Sequence, residues 1–142
     1  VGVRNIVYTY TSPQTGCSNV DSGTIEVKAL PVLSFPALAA VCVNGGAVTL
    51  NAATPAGGTY SGPGVNNNAF LPQQAGLGTF TITYTYTDTL TGCSNSITSQ
   101  ITVNDIPVVA LDPLPTVCVS ASAFALSGGS PAGGTFSGAG VS

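Results

Sequence analysis

The chain of 142 residues contains no histidine, no tryptophan and no methionine, and its only basic residues are Arg4 and Lys28. Each absence closes a class of function. Without histidine there is no imidazole general base, and Ser–His or Cys–His nucleophilic machinery cannot be assembled. A zinc site or a cysteine nucleophile loses its usual partner by the same omission. Two basic side chains cannot neutralise a run of phosphates, so nucleic acid is excluded as a partner. An anionic membrane surface has equally little to attract. No run of 18 apolar residues occurs, so membrane insertion is not expected. There is no initiator methionine and no visible signal peptide, which reads as a segment of a longer precursor.

What is present is repetition. The stretch YTYTSPQTGCSN at 8–19 returns as YTYTDTLTGCSN at 84–95, and TPAGGTYSGPGV at 54–65 returns as SPAGGTFSGAGV at 130–141. A single offset of 76 joins both pairs, and 30 of 66 compared positions are identical without a gap. Register kept that long reads as a tandem array. The expected organisation is the C-terminal part of one repeat at 1–29, a complete repeat at 30–105 and the N-terminal part of the next at 106–142. A unit that small buries a limited core and needs staples or neighbours.

Residues 78–87, GTFTITYTYT, alternate strictly. Phe80, Ile82, Tyr84 and Tyr86 fall on one face and threonines on the other, the period of a half-buried strand. Threonine keeps β-propensity while presenting a polar surface. DTLTG turns the chain, and SITSQITV (96–103) returns with Ile97, Ile101 and Val103 on one face, making a hairpin. Shorter strands are expected at PVLSF (31–35), AVTLNA (47–52), GGTYSG (57–62) and NAFLP (68–72). No helical periodicity lasts three turns. Six or seven short strands in 76 residues predict an all-β fold: tandem immunoglobulin-like antiparallel β-sandwich repeats. There is no core tryptophan, and Tyr86 stands seven residues before Cys93, so the antibody topology itself is not implied.

The four cysteines occupy two equivalent positions per repeat. A disulfide between Cys42 and Cys93 is expected; closing a loop of about 52 residues would contribute roughly 4 kcal/mol. Cys17 and Cys118 are expected to pair with neighbouring repeats or copies. Disulfides imply an oxidising, extracellular or cell-surface location.

No residue set supports catalysis, a cofactor or a metal. Within 30–105 the only carboxylates are Asp88 and Asp105, read as solvated turn acids. Calcium requires six to eight oxygens, and the joint near Asp105 adds only Asp112. AGGTYSGPG (56–64) lacks the phosphate-loop pattern and reads as turns. A Lys–Asn isopeptide is impossible in 30–105, which has no lysine. The alternating tyrosines read as core more readily than as a sugar-binding platform.

The ordered motifs PAGGTYSG, TITYTYT and TGCSN resemble the immunoglobulin-like repeats of very long Bacteroidota surface proteins, including adhesins linked to gliding and type IX secretion. The likeness spans essentially the whole chain. It implies extracellular arrays acting as stalks, fibres or adhesive surfaces, with no catalytic residues. DTL (88–90) is similar to a short O-glycosylation signal of that phylum, which would place sugar on Thr89; an unmodified turn threonine is the plainer reading. The function expected is a non-catalytic structural repeat of a stalk, fibre or filament. The alternative is an adhesive or glycan-binding module acting through loops such as 62–68 or through the threonine face. The expected partners are neighbouring repeats or copies, head to tail, and surface glycans for the adhesive alternative. In a chain-to-chain arrangement the tail of one copy would complete a unit with the head of the next, Cys118 bonding Cys17. A continuous longer chain would complete both ends instead.

Overall fold

The computed structural model describes residues 1–141; Ser142, the last residue of the third expected segment, lies outside them. The chain divides into two units, Val1–Asn104 and Asp105–Ser142. Apart from one helical turn, the regular structure described is strand, so the fold is all-β.

Within the first unit, residues 30–104 form a body with two sheets. The larger has the order β3–β9–β8–β5: Val41–Cys42, Ser94–Asn104, Gly78–Thr87 and Thr59–Ser61. The smaller has the order β4–β7–β6: Val48–Thr49, Ala69–Phe70 and Val65–Asn66. Strand β8 coincides with the GTFTITYTYT segment. Its alternation works as expected: Ile82 and Tyr84 are buried, Phe80 and Tyr86 half-buried, and Thr79, Thr81 and Thr87 exposed. Both sheets contribute to one core of Phe35, Leu50, Ala53, Phe70, Ile82, Tyr84, Ile101 and Val103. Each large side chain fully buried there stabilises the body by about 1.5–3 kcal/mol.

The short elements rest on local chemistry. Asn67 and Asn68 both take positive φ (46° and 59°), giving the two-residue turn that joins β6 to β7 with matching twist. The helical turn α1, Pro72–Ala75, was not expected from the sequence. Proline at its start needs no N–H partner, and Gly76 at φ 84° ends it.

Two strand expectations change. PVLSF forms only a single bridge, Ser34 with Thr54. Side chains supply part of what a ladder would: Asn95 Nδ2 donates to the Pro31 carbonyl (2.9 Å) and Ser99 Oγ to the Pro36 carbonyl (3.0 Å). Proline's missing N–H at both positions explains the broken ladder. The sheet is also not wholly antiparallel, because β3 runs parallel to β9, with Val41 opposite Val103. Residues 31–43 therefore climb alongside β9 in its own direction, from Asn95 to Asn104. The chain enters the body at one end of β9 and leaves at the other. Eleven residues of strand separate those ends by roughly 36 Å.

Ahead of this body in the first unit is a hairpin of β1, Gly2–Thr11, and β2, Ser18–Val27. It pairs Gly2 with Val27 through Thr11 with Ser18, the register in which β8 and β9 pair Gly78 with Val103 through Thr87 with Ser94. Every residue of both strands is exposed.

The second unit has one short antiparallel pair, β10 (Ala110–Leu111) with β11 (Gly129–Ser130). Ala110 faces Ser130 as Ser34 faces Thr54, 76 positions earlier. Local turns match too: Ala121 N–H donates to the Cys118 carbonyl and Gly45 N–H to the Cys42 carbonyl, both at 2.9 Å.

Candidate functional site

The described residues contain no group of three or more His, Cys, Asp or Glu side chains that could hold a metal ion. No described helix is long and apolar enough to cross a membrane. The polar feature the core is built around is a tyrosine. Tyr84 is only 1 % exposed. A buried phenol needs a partner for its hydroxyl, and this one has two. Gly58 N–H donates to Tyr84 Oη at 2.8 Å, and the hydroxyl donates to the Pro55 carbonyl. The ring packs on Tyr60 (centroids 4.7 Å apart) and approaches Phe35 (6.4 Å). Tyr60 in turn accepts from Ala53 N–H at 3.1 Å. The PAGG segment is thus the receptor for the strand tyrosine, a role that reading it as turns missed. Two signals could have found it: a buried-face tyrosine wants a hydrogen-bond partner, and paired glycines beside a strand mark a close approach.

Tyr84→Phe should destabilise the body by about 1–3 kcal/mol, because the Gly58 N–H and Pro55 carbonyl lose their buried partner. Urea unfolding followed by circular dichroism reads this directly. An unchanged midpoint would mean the hydroxyl contributes nothing.

The cysteines require a correction. Cys42 pairs in register with Asn104 at the far end of β9, whereas Cys93 immediately precedes Ser94 at its start. The length of β9, roughly 36 Å, lies between them. A disulfide needs Cα atoms within about 7 Å. The expected Cys42–Cys93 bridge is therefore excluded within one body, and the stabilisation assigned to it is withdrawn. Equivalence by repeat had shown which cysteines correspond, and carried no information about which end of the body each occupies. The same reasoning removes Cys118–Cys17 as a bridge inside a unit assembled from tail and head, since these are the counterparts of Cys42 and Cys93. Cys17 and Cys118 are both exposed.

Asp88 does more than solvate a turn. Its Oδ1 accepts from Leu90 N–H (2.8 Å) and Thr91 N–H (3.1 Å), so it organises the β8–β9 connection. Thr89 is exposed at the tip of that turn. Asp105 Oδ1 accepts from its neighbour Ile106 N–H (2.8 Å). The loop at 62–68 is tied down: Leu50 N–H donates to Asn68 O and Leu71 N–H to Gly64 O, both at 2.8 Å.

Two surfaces outside the body carry its chemistry without its cover. On hairpin β1–β2, Ile6, Tyr8, Ile25 and Val27 stand where Ile82, Tyr84, Ile101 and Val103 stand on β8–β9. Tyr8 is 69 % exposed and Ile6 56 %. In the second unit, a groove of about 750 Å³ is lined by apolar, glycine and small hydroxyl residues, among them Leu111, Ser130, Pro131, Gly134 and Phe136.

No protein-family model matches the chain, and no curated protein or solved structure is similar to it.

Proposed function

We propose that this chain is a non-catalytic segment of an extracellular stalk or fibre, built from 76-residue immunoglobulin-like β-sandwich units joined head to tail. One observation carries the reading: the body takes in the chain at one end of β9 and releases it at the other, with residues 31–43 running parallel to β9 between those ends. Tension applied through the two ends pulls these parallel segments in opposite directions. The bonds between them are then loaded together, in shear, instead of opening one by one.

Further support comes from correspondence at the 76-residue offset. The two hairpins share a register, and the Ser34–Thr54 pairing recurs at Ala110–Ser130. Repeats of this kind add length with each copy and interact with their neighbours alone. Cysteines at the two ends of a body suit bridges to neighbouring units or copies. This keeps the neighbouring pairing expected for Cys17 and Cys118 and extends it to Cys42 and Cys93. Each bridge would release two protons and pass two electrons to a disulfide-type oxidant, which fits an extracellular or surface location.

The test is single-molecule stretching with handles at Ala29 and Asp105. The body should resist and then open in one step, releasing about 23 nm, the extended length of its chain less the folded span. Gradual lengthening at low force would reject a load-bearing role.

A further inference from the structure

We propose that Asn44–Gly45 is a self-modification site: the asparagine converts without an enzyme to aspartate and isoaspartate, and the product loosens the attachment of β3 to β9. The chemistry stands alone, whereas its mechanical meaning rests on the load-bearing reading above.

The reaction is a ring closure. The backbone nitrogen of Gly45 attacks the side-chain carbonyl carbon of Asn44. The proton of that nitrogen and the side-chain amide leave together as ammonia, and a five-membered succinimide remains. One water then opens the ring. Breaking the new bond from nitrogen to Cγ gives aspartate with the original main chain. Breaking the bond from nitrogen to the main-chain carbonyl carbon gives isoaspartate, whose chain runs through Cβ and Cγ. Nothing is oxidised or reduced. A side chain on the following residue obstructs the attack, and glycine has none.

Sequence and structure together single out this site. Asn44 is the only asparagine in the chain followed by glycine. It is exposed, in the turn that leaves β3. The other asparagines are poorly placed as well as lacking the glycine. Asn5, Asn19, Asn66, Asn95 and Asn104 lie in strands, where paired backbone resists bringing Cγ onto the next nitrogen. Asn95 is further held, with Nδ2 on the Pro31 carbonyl and Oδ1 on Ser96 N–H, both at 2.9 Å. In the second unit, Ala121 N–H donates to the Cys118 carbonyl as Gly45 N–H does to the Cys42 carbonyl. Ser120 stands there at the asparagine position and has no amide to lose. The turn itself therefore does not demand Asn–Gly. Its hydrogen bond guards the Gly45 nitrogen, which must give up a proton before it attacks, so closure proceeds when the turn opens.

The place gives the reaction its consequence. Strand β3 has two residues, Val41–Cys42, and Val43 N–H adds one bond to the Asn104 carbonyl at 2.8 Å. Isoaspartate lengthens the main chain immediately after that bond. Both products also bring a carboxylate, and residues 30–105 contain no lysine or arginine to pair with it. The end of the segment that carries shear is thus the part the reaction loosens.

Ageing the full chain in mildly alkaline buffer, followed by peptide mass mapping and isoaspartate-specific methylation, tests this. Asn44 should convert completely, with stoichiometric ammonia release, before any other asparagine changes, and faster as hydroxide rises. The same chain in urea should convert sooner, because its turn is open. Asn44→Ser should release no ammonia. The aged chain should unfold at a lower urea concentration than fresh protein, and Asn44→Asp, which adds the charge without lengthening the chain, should fall between them. A folded chain that keeps Asn44 intact while the chain in urea converts overturns the proposal, as does earlier conversion of another asparagine. A fully converted chain with an unchanged urea midpoint overturns the loosening of β3. None of these results touches the load-bearing reading, which is decided by stretching fresh protein.

Discussion

Gly58→Ala should leave the body of residues 30–104 largely unfolded at room temperature. The added methyl would lie 2.5 Å from Tyr84 Cζ and 2.6 Å from its Oη, and would also strike the Thr85 carbonyl oxygen. Neither obstacle can move cheaply. The carbonyl belongs to β8, which is paired on both sides, and the ring is buried between Phe35 and Tyr60. Overpacking of this kind costs about 1–3 kcal/mol or more. Displacing the ring also breaks the hydroxyl's two buried bonds, at about 1–3 kcal/mol for each group left unpaired. The whole body is expected to have a stability of only about 4–11 kcal/mol on the usual scale per residue. Gly46→Ala is the control: nothing lies within 4 Å of the added methyl, and its backbone is not in the left-handed region. Urea titration followed by circular dichroism should show a folded Gly46→Ala chain. It should also show a Gly58→Ala chain whose body has lost its cooperative transition. Similar midpoints for the two would mean that the close approach of PAGG to β8 is not what fixes this fold.

Legibility in the sequence followed the range of the forces involved. Hairpin β8–β9 was readable almost to the residue because its alternation is a local property, with Ile82 and Tyr84 inward and Thr81 outward. The strands β3 and β6, two residues each, were not readable. Val41–Cys42 is a strand only because β9 lies beside it, and Val65–Asn66 only because the Asn67–Asn68 turn folds it onto β7. PVLSF showed the right alternation, with Leu33 half-buried and Phe35 buried, but Pro31 and the Pro36 that follows it could not donate to a ladder. The cysteine error has the same origin. Spacing reveals correspondence between repeats, while the distance between Cys42 and Cys93 depends on the parallel course of residues 31–43 along β9. The open surfaces were the least readable part. Tyr8 and Tyr84 sit in the same YTYT motif, and only the presence or absence of covering strands separates an exposed phenol from a buried one.

That contrast supports the second large prediction, in which one substitution is made at two positions 76 residues apart. Ile82→Asp should unfold the body, and Ile6→Asp should leave it unaffected. Ile82 is fully buried in the core shared by the two sheets. A carboxyl group placed there has no hydrogen-bond donor designed for it, and a buried unpaired charge or its enforced neutralisation ranks among the largest single-site costs, about 4–5 kcal/mol or more. Ile6 stands two residues before the same YTYT run and in the same strand register, but its side chain already faces water, where a charge changes stability by about 0.5 kcal/mol or less. The pH dependence should separate the two further. Desolvation raises the carboxyl pKa in folded Ile82→Asp above the unfolded value of about 3.9. Its penalty is therefore smallest below that value, where both states hold the proton, and stability is lost as pH rises towards the raised folded value. Ile6→Asp should show no such slope. Measured unfolding midpoints across that range decide the matter. Equal losses at both positions would mean that the first hairpin is covered within its own chain, whereas equal tolerance would mean that the two sheets do not share a core at Ile82.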